Sequence, residues 1–163
     1  MMTIAEILDR MIASPGSTVH DIEHLLKVWG YARTIGQLEG LDEHTQRLTE
    51  IAAIVHDIAC PSLRARYGCC NGKRQEQEGV PMAEAFLREC GLPEADVRRV
   101  AFLVGHHHTF TGVDGIDWQI LLEADYLVNG SESGFSMANL RNFAERICRT
   151  RAGRALFKSV YHV

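Results

Sequence analysis

The chain has 163 residues, 46% hydrophobic and 23% charged. That length suits one domain able to bury a core without disulfide staples, and the composition excludes a disordered chain. Acidic residues outnumber basic ones 21 to 17, a formal charge of −4, which argues against a broad nucleic-acid footprint.

The pattern is helical throughout. Thr3 and Glu6 form a capping box ahead of a stripe of Ile4, Ile7, Leu8, Met11 and Ile12. Ser14-Pro15-Gly16-Ser17 breaks that helix. A second helix is expected from about Thr18 to Glu39, with Gly40 as its stop. Asp42 caps a third, whose apolar face carries Leu48, Ile51, Ala52, Ile54 and Val55, and Pro61 ends it. Residues 61–80 read as a long loop with at most a short helix.

Pro81 then takes a first helical position and Gly91 stands just past an end. Pro93, Glu94 and Asp96 start a helix that runs into Gly105-His106-His107-His108. After a Gly/Thr/Asp loop at 109–116, Asp117 opens a helix through about Asn129, closed by Gly130. The stretch from about Ser136 to Tyr161 is helical and basic, a solvated face rather than a nucleic-acid surface. No strand alternation, repeat or linker interrupts this. The expectation is all-α: one single-domain helical bundle over residues 1–163.

No apolar run approaches the ~20 residues of a membrane span, and the N-terminus has no basic start before an apolar stretch, so it does not read as a signal peptide. Five cysteines without an export signal read as free thiols in a reducing cytoplasm. Cys69-Cys70 lacks the two-residue gap of a zinc knuckle and has no second pair.

Histidine carries the functional signal. Eight are present, and three features place them beside carboxylates: His20 and His24 one turn apart on one helix, the His56-Asp57 doublet ending a buried helix, and Asp125 inside an apolar helical run. A carboxylate there is costly unless paired or bound to a cation. On residues alone, His56 also reads as a hydrogen-bonded core histidine, Asp57 as a turn residue, and Asp125 as the partner of a buried arginine.

The ordered set His24, His56-Asp57 and Asp125 resembles the HD-domain superfamily of metal-dependent phosphohydrolases, named for its His-Asp doublet. HDIEHLLKVWGYARTIG looks like that family's first motif helix, AAIVHDIA like its doublet helix and LLEADYLVN like its final Ala-Asp stretch, together spanning about residues 18 to 130. The resemblance implies a bundle of about five core helices, with His24, His56, Asp57 and Asp125 holding one divalent metal ion. Two histidines and two aspartates suit Fe, Mn, Ni, Co or Zn. Gln75 stands where some members carry a further histidine for a second metal, so one ion is favoured over two unless Glu76 or Glu78 helps.

The implied reaction is hydrolysis of a small phosphorylated molecule, such as a nucleotide, by metal-activated water. Asp57 would accept the water's proton, and His106 or His107 would bind a phosphate oxygen or protonate the leaving oxygen. Lys27, one turn from His24, would lie near the site and join the catalytic residues. His20, Lys73, Arg74 and Glu76 would contribute to substrate binding, with Arg64 and Arg66 as alternative phosphate contacts. A dinuclear iron oxygenase and a non-catalytic ligand-binding module are the competing readings. Self-association is compatible with each.

Overall fold

The computed structural model describes residues 1–163 as nine α-helices without a strand: α1 (Ile4–Ile12), α2 (Val19–Glu39), α3 (Glu43–Val55), α4 (Cys60–Tyr67), α5 (Gly72–Glu89), α6 (Glu94–Val104), α7 (Ile116–Glu132), α8 (Met137–Arg146) and α9 (Arg151–Tyr161). The early boundaries follow local chemistry. Thr3 and Thr18 accept from the backbone N–H groups of Glu6 and Asp21, whose carboxylates return the bond to the threonine N–H. Asp42 caps α3 through the Thr45 N–H, and Gly40 ends α2 in the left-handed region at φ 73°.

One connected core of 32 buried residues holds the helices together. α3 is buried without interruption from Leu48 to Val55, and most of α7 is buried. α2 packs against both, while α6 packs on α3 and α5. No helix is long and apolar enough to cross a membrane.

Three boundaries differ from the sequence-based expectation. Residues 61–80 are mostly helical: Pro61 lies in the first turn of α4, where its missing N–H costs nothing, and Asn71 caps α5 by accepting from the N–H groups of Lys73 and Arg74. Pro81 therefore lies inside α5, not at its start. It is on the exposed face, so the carbonyl it leaves without an intrahelical donor can turn to water.

Gly130 does not close its helix. It is buried within α7, where a Cβ would meet the Tyr161 phenol and Leu140, so it serves close packing and α7 continues to Glu132. The C-terminal stretch is two helices. Glu123, fully buried, takes the Gln119 amide (2.7 Å) and the backbone N–H groups of Arg149 (2.7 Å) and Thr150 (3.0 Å), together with the Thr150 hydroxyl. Those donors hold residues 147–150 out of helix, and Thr150 then caps α9.

Replacing Glu123 by alanine leaves several buried donors unpaired. The expected loss is about 3 kcal/mol or more in urea unfolding. A loss below about 1 kcal/mol would show that the α8–α9 corner does not depend on this carboxylate.

Candidate metal centre

Four elements converge on one point. α2 brings His24, the turn after α3 brings His56 and Asp57, α7 brings Asp125, and the turn after α6 brings His107. His56 Nδ1–H donates to the Ala53 carbonyl (2.8 Å), which leaves its Nε2 lone pair facing inward. His24 Nδ1–H donates to Glu132 (2.7 Å), with the same result. The two Nε2 atoms stand 3.1 Å apart. Asp125 Oδ1 lies 3.3 Å from His24 Nε2 and 3.6 Å from His56 Nε2, and Asp57 Oδ2 lies 3.6 Å from each.

Those separations fit a cation. Ligands about 2.0–2.2 Å from an ion lie about 3 Å apart as octahedral neighbours and about 3.5 Å apart as tetrahedral ones. Two inward lone pairs beside two carboxylates otherwise need a proton between them. His24, His56 and Asp57 lie within ligand range of one another, and Asp125 Oδ1 reaches both imidazole nitrogens, so the donor set fits a divalent metal in ligand chemistry and spacing.

Protonation follows from the same crowding. Burial pulls the His24 imidazole down, but Asp125, Asp57 and Glu132 outweigh it and push its pKa up to about 9. Burial would raise the Asp57 and Asp125 carboxyls, but the surrounding imidazoles hold both well below the usual carboxylate range. His107 is pushed up because Asp57 outweighs burial. Burial, then the neighbouring His107, depresses His108 to about 4.

A second convergence adjoins the first. His107 Nδ1–H donates to the Val104 carbonyl (2.6 Å), so Nε2 faces Asp57 Oδ1 at 3.3 Å, not aligned as a hydrogen bond. Both atoms are buried and unpartnered. His108, in contact with Gln75 Oε1, completes a group of Asp57, His107 and His108.

The other expected residues are distributed unevenly. His106 turns away, bonded to the Phe102 carbonyl and stacked on the Phe102 ring at 4.1 Å, so it does not face the cavity. Lys27 bonds Glu132 (3.0 Å) behind His24 and does not point at the ligand cluster. His20, on the cavity rim, lies 3.8 Å from Glu132. Lys73 and Arg74 are exposed, Arg74 stacking on Tyr67. Arg66 is paired with Glu78. Glu76 accepts the His108 N–H and the Thr109 hydroxyl (3.0 Å each), a structural tie between α5 and the histidine turn. Arg64 does line the cavity, paired with Asp21.

Glu132 and Asn129 were not anticipated. Asn129 donates to Asp125 Oδ1 (2.8 Å), and Glu132 orients His24. The signal was present: 125, 129 and 132 share one stripe of α7 at helical spacing. Cys60 and Cys70 are joined by a disulfide, which corrects the all-free-thiol expectation; Cys69, Cys90 and Cys148 are free. Ten residues separate the pair, and the folding of 61–70 into α4 plus a turn returns the chain upon itself.

The family model for the HD domain matches residues 21–130. A predicted HD superfamily hydrolase from an uncultured Thermotogales bacterium shares the fold with a TM-score of 0.68 and 24% identity, over 98% of this chain and 83% of that one. Bacillus subtilis YpgQ superposes with a TM-score of 0.63 and 19% identity, over 99% of this chain and 91% of that one. Its complex with ADP gives a TM-score of 0.61 and 18% identity, over 98% and 91%. No curated protein matches the sequence.

In metal-free protein at neutral pH, His24 holds a proton that an ion must displace. Titration of Mn²⁺ at pH 7.5 in buffers of different ionisation enthalpy is expected to release about one proton per ion. Because the folded His24 pKa of about 9 lies above its ordinary 6.5, its contribution to metal-free stability is complete below about 6.5 and lost as pH rises through 9. The melting temperature of chelated protein should therefore fall over that window. Glu132→Gln should weaken Mn²⁺ binding about 10–100-fold; unchanged affinity would remove Glu132 from the ligand's support.

Proposed function

The chain belongs to the HD domain family, and from that membership we propose that it is a metal-dependent phosphohydrolase acting on a small phosphorylated molecule, with a nucleotide as the favoured substrate. The observation that carries this reading is the opposed pair of imidazole nitrogens, 3.1 Å apart between two carboxylates. His24, His56, Asp57 and Asp125 would hold a divalent ion, which would supply Lewis acidity and a water of lowered pKa.

The remaining work falls to side chains. Asp57 turns Oδ2 to the ligand cluster and Oδ1 towards His107 Nε2 at 3.3 Å, so its carboxylate is placed to accept the attacking water's proton with an imidazole beside it. Glu132 holds the His24 ring and neutralises Lys27, giving that lysine a supporting place behind the ligands. Arg64 enters from α4 and, by exchanging Asp21 for substrate, offers a guanidinium to the phosphate.

The cavity of about 170 Å³ that borders the ligands shares Cys70, Gln75, Asn129 and Ser133 with a neighbour of about 380 Å³. Phe110, Tyr126 and Phe135 line the second, a setting for a flat aromatic group such as a base. The ADP bound by YpgQ supports this preference.

A second cation is favoured by one observation: Asp57 Oδ1 and His107 Nε2 are buried, opposed and unpartnered. Gln75 is a weaker ligand than imidazole, which makes that position the lower-affinity one. It is also the position an oxygenase reading would need filled with iron.

Purified protein loaded in turn with Mn²⁺, Fe²⁺, Co²⁺, Ni²⁺ and Zn²⁺ is expected to hydrolyse at least one member of a panel of phosphomonoesters, phosphodiesters and nucleoside triphosphates. His56→Ala and Asp125→Asn should lose the ion, and turnover should fall about 10³-fold or more. Metal analysis separates one ion from two. A folded, metal-loaded protein inert towards the whole panel would favour the binding-module reading, and oxygen-dependent turnover with two irons per chain the oxygenase.

A further inference from the structure

We infer that Cys60 and Cys70 form a thiol–disulfide modification site in the wall of the metal cavity, exchanging with low-molecular-weight thiols, and that its oxidation state sets the orientation of Gln75. The claim that this alters substrate affinity rests on the proposed phosphohydrolase reading; the thiol chemistry itself does not.

Cys60 opens α4 three residues after Asp57, and its N–H donates to the Asp57 carbonyl (2.9 Å). Cys70 immediately precedes Asn71, the cap of α5. The bridge therefore ties together the two ends of α4, the helix that carries Arg64 into the cavity. Its Cα–Cα distance of 5.4 Å is the ordinary span of a disulfide.

Gln75, buried, reads the sulfurs directly. Its amide nitrogen donates to both Sγ atoms at 2.8 Å, while its Oε1 takes up His108 Nε2. Disulfide sulfurs carry no hydrogen and can only accept. The Gln75 NH₂ must then face them, its oxygen must face His108, and His108 must donate. Reduction gives each sulfur a hydrogen. An S–H can now donate to Oε1, the amide can turn over, and its NH₂ meets His108 Nε2 as an acceptor. One redox event thus exchanges donor and acceptor between Gln75 and a histidine beside His107.

Cys60 is buried and Cys70 is half-buried, so exchange begins at Cys70. An incoming thiolate forms a bond to Cys70 Sγ as the Cys60–Cys70 bond breaks, and its electron pair leaves on Cys60, which takes a proton. A second thiolate attacks the small-molecule sulfur of the mixed disulfide and releases Cys70, which is protonated in turn. The protein disulfide and two small thiols become two protein thiols and one small disulfide.

The test equilibrates the full native chain with mixtures of reduced and oxidised glutathione. Alkylation and mass spectrometry are expected to show Cys60 and Cys70 lost and gained together without added glutathione mass, while the buried Cys90 and Cys148 can be alkylated after denaturation in reducing and oxidising mixtures alike and exposed Cys69 gains at most one glutathione. The ¹⁵N signal of His108 Nε2 should move between the two forms. With a substrate identified from the hydrolysis panel, reduction should raise KM about 3–10-fold as Arg64 loosens, with kcat held within about twofold. Cys70→Ser, or Cys60→Ser should that variant fold better, should show the reduced enzyme's KM and no response to glutathione. Five reactive thiols at every glutathione ratio would overturn the site, and a bridge that forms without moving His108 or KM would overturn the coupling. A responsive bridge in a protein that hydrolyses nothing would overturn the phosphohydrolase reading and leave the thiol site standing.

Discussion

Two imidazole nitrogens, each with its other nitrogen committed to a hydrogen bond, point their lone pairs at one another across 3.1 Å. Nothing in a folded interior tolerates that arrangement without a positive charge between the rings. Much of the structure answers to it. Asp57 and Asp125 add negative charge to the same point, Asn129 steadies Asp125, and Glu132 steadies His24. In metal-free protein a proton on His24 supplies the charge, and a divalent ion supplies it more completely.

Two of the helices that hold this point, α3 and α7, are deeply buried. α3 delivers His56 at its end, where the chain leaves the core, and α7 carries Asp125 through a nearly continuous run of buried side chains. Burial on all sides fixes the backbone at both places, so the ligand atoms inherit the precision of the core. α2 contributes His24 from a less buried helix, and its ring is fixed instead by Glu132. The wall opposite is built differently. α4 is short, has no side-chain cap, and is held at its far end through Cys70. A rigid ligand half thus faces a wall held by Leu63 in the core, by contacts with α5 and by one covalent bond.

Most of the helices could be read from local chemistry. Thr3, Thr18 and Asp42 accept backbone N–H groups a few residues away, so their caps needed no tertiary context. The misplaced boundaries share a cause. Pro81 sits inside α5 because its side of the helix meets water, Gly130 continues α7 because Tyr161 and Leu140 approach it, and the break at 147–150 is made by Glu123 from another helix. In each case a partner distant in the chain, or the solvent, outweighed the local signal.

What the sequence determined by itself is the helical class, because capping and periodicity are local properties of a chain; His24, His56, Asp57 and Asp125 were singled out by their order in motifs that resemble the HD family's. Only the tertiary structure decided which way the side chains face. Three consecutive histidines are alike on paper, yet His106 stacks on Phe102, His107 meets Asp57 and His108 meets Gln75. Neighbouring residues at the end of a helix diverge by large angles, and which one looks inward depends on how α6 is rotated against α3 and α5. The pairing of Cys60 with Cys70 and the use of Glu132 belong to the same class, since a contact across space is set by packing that no short stretch of sequence contains.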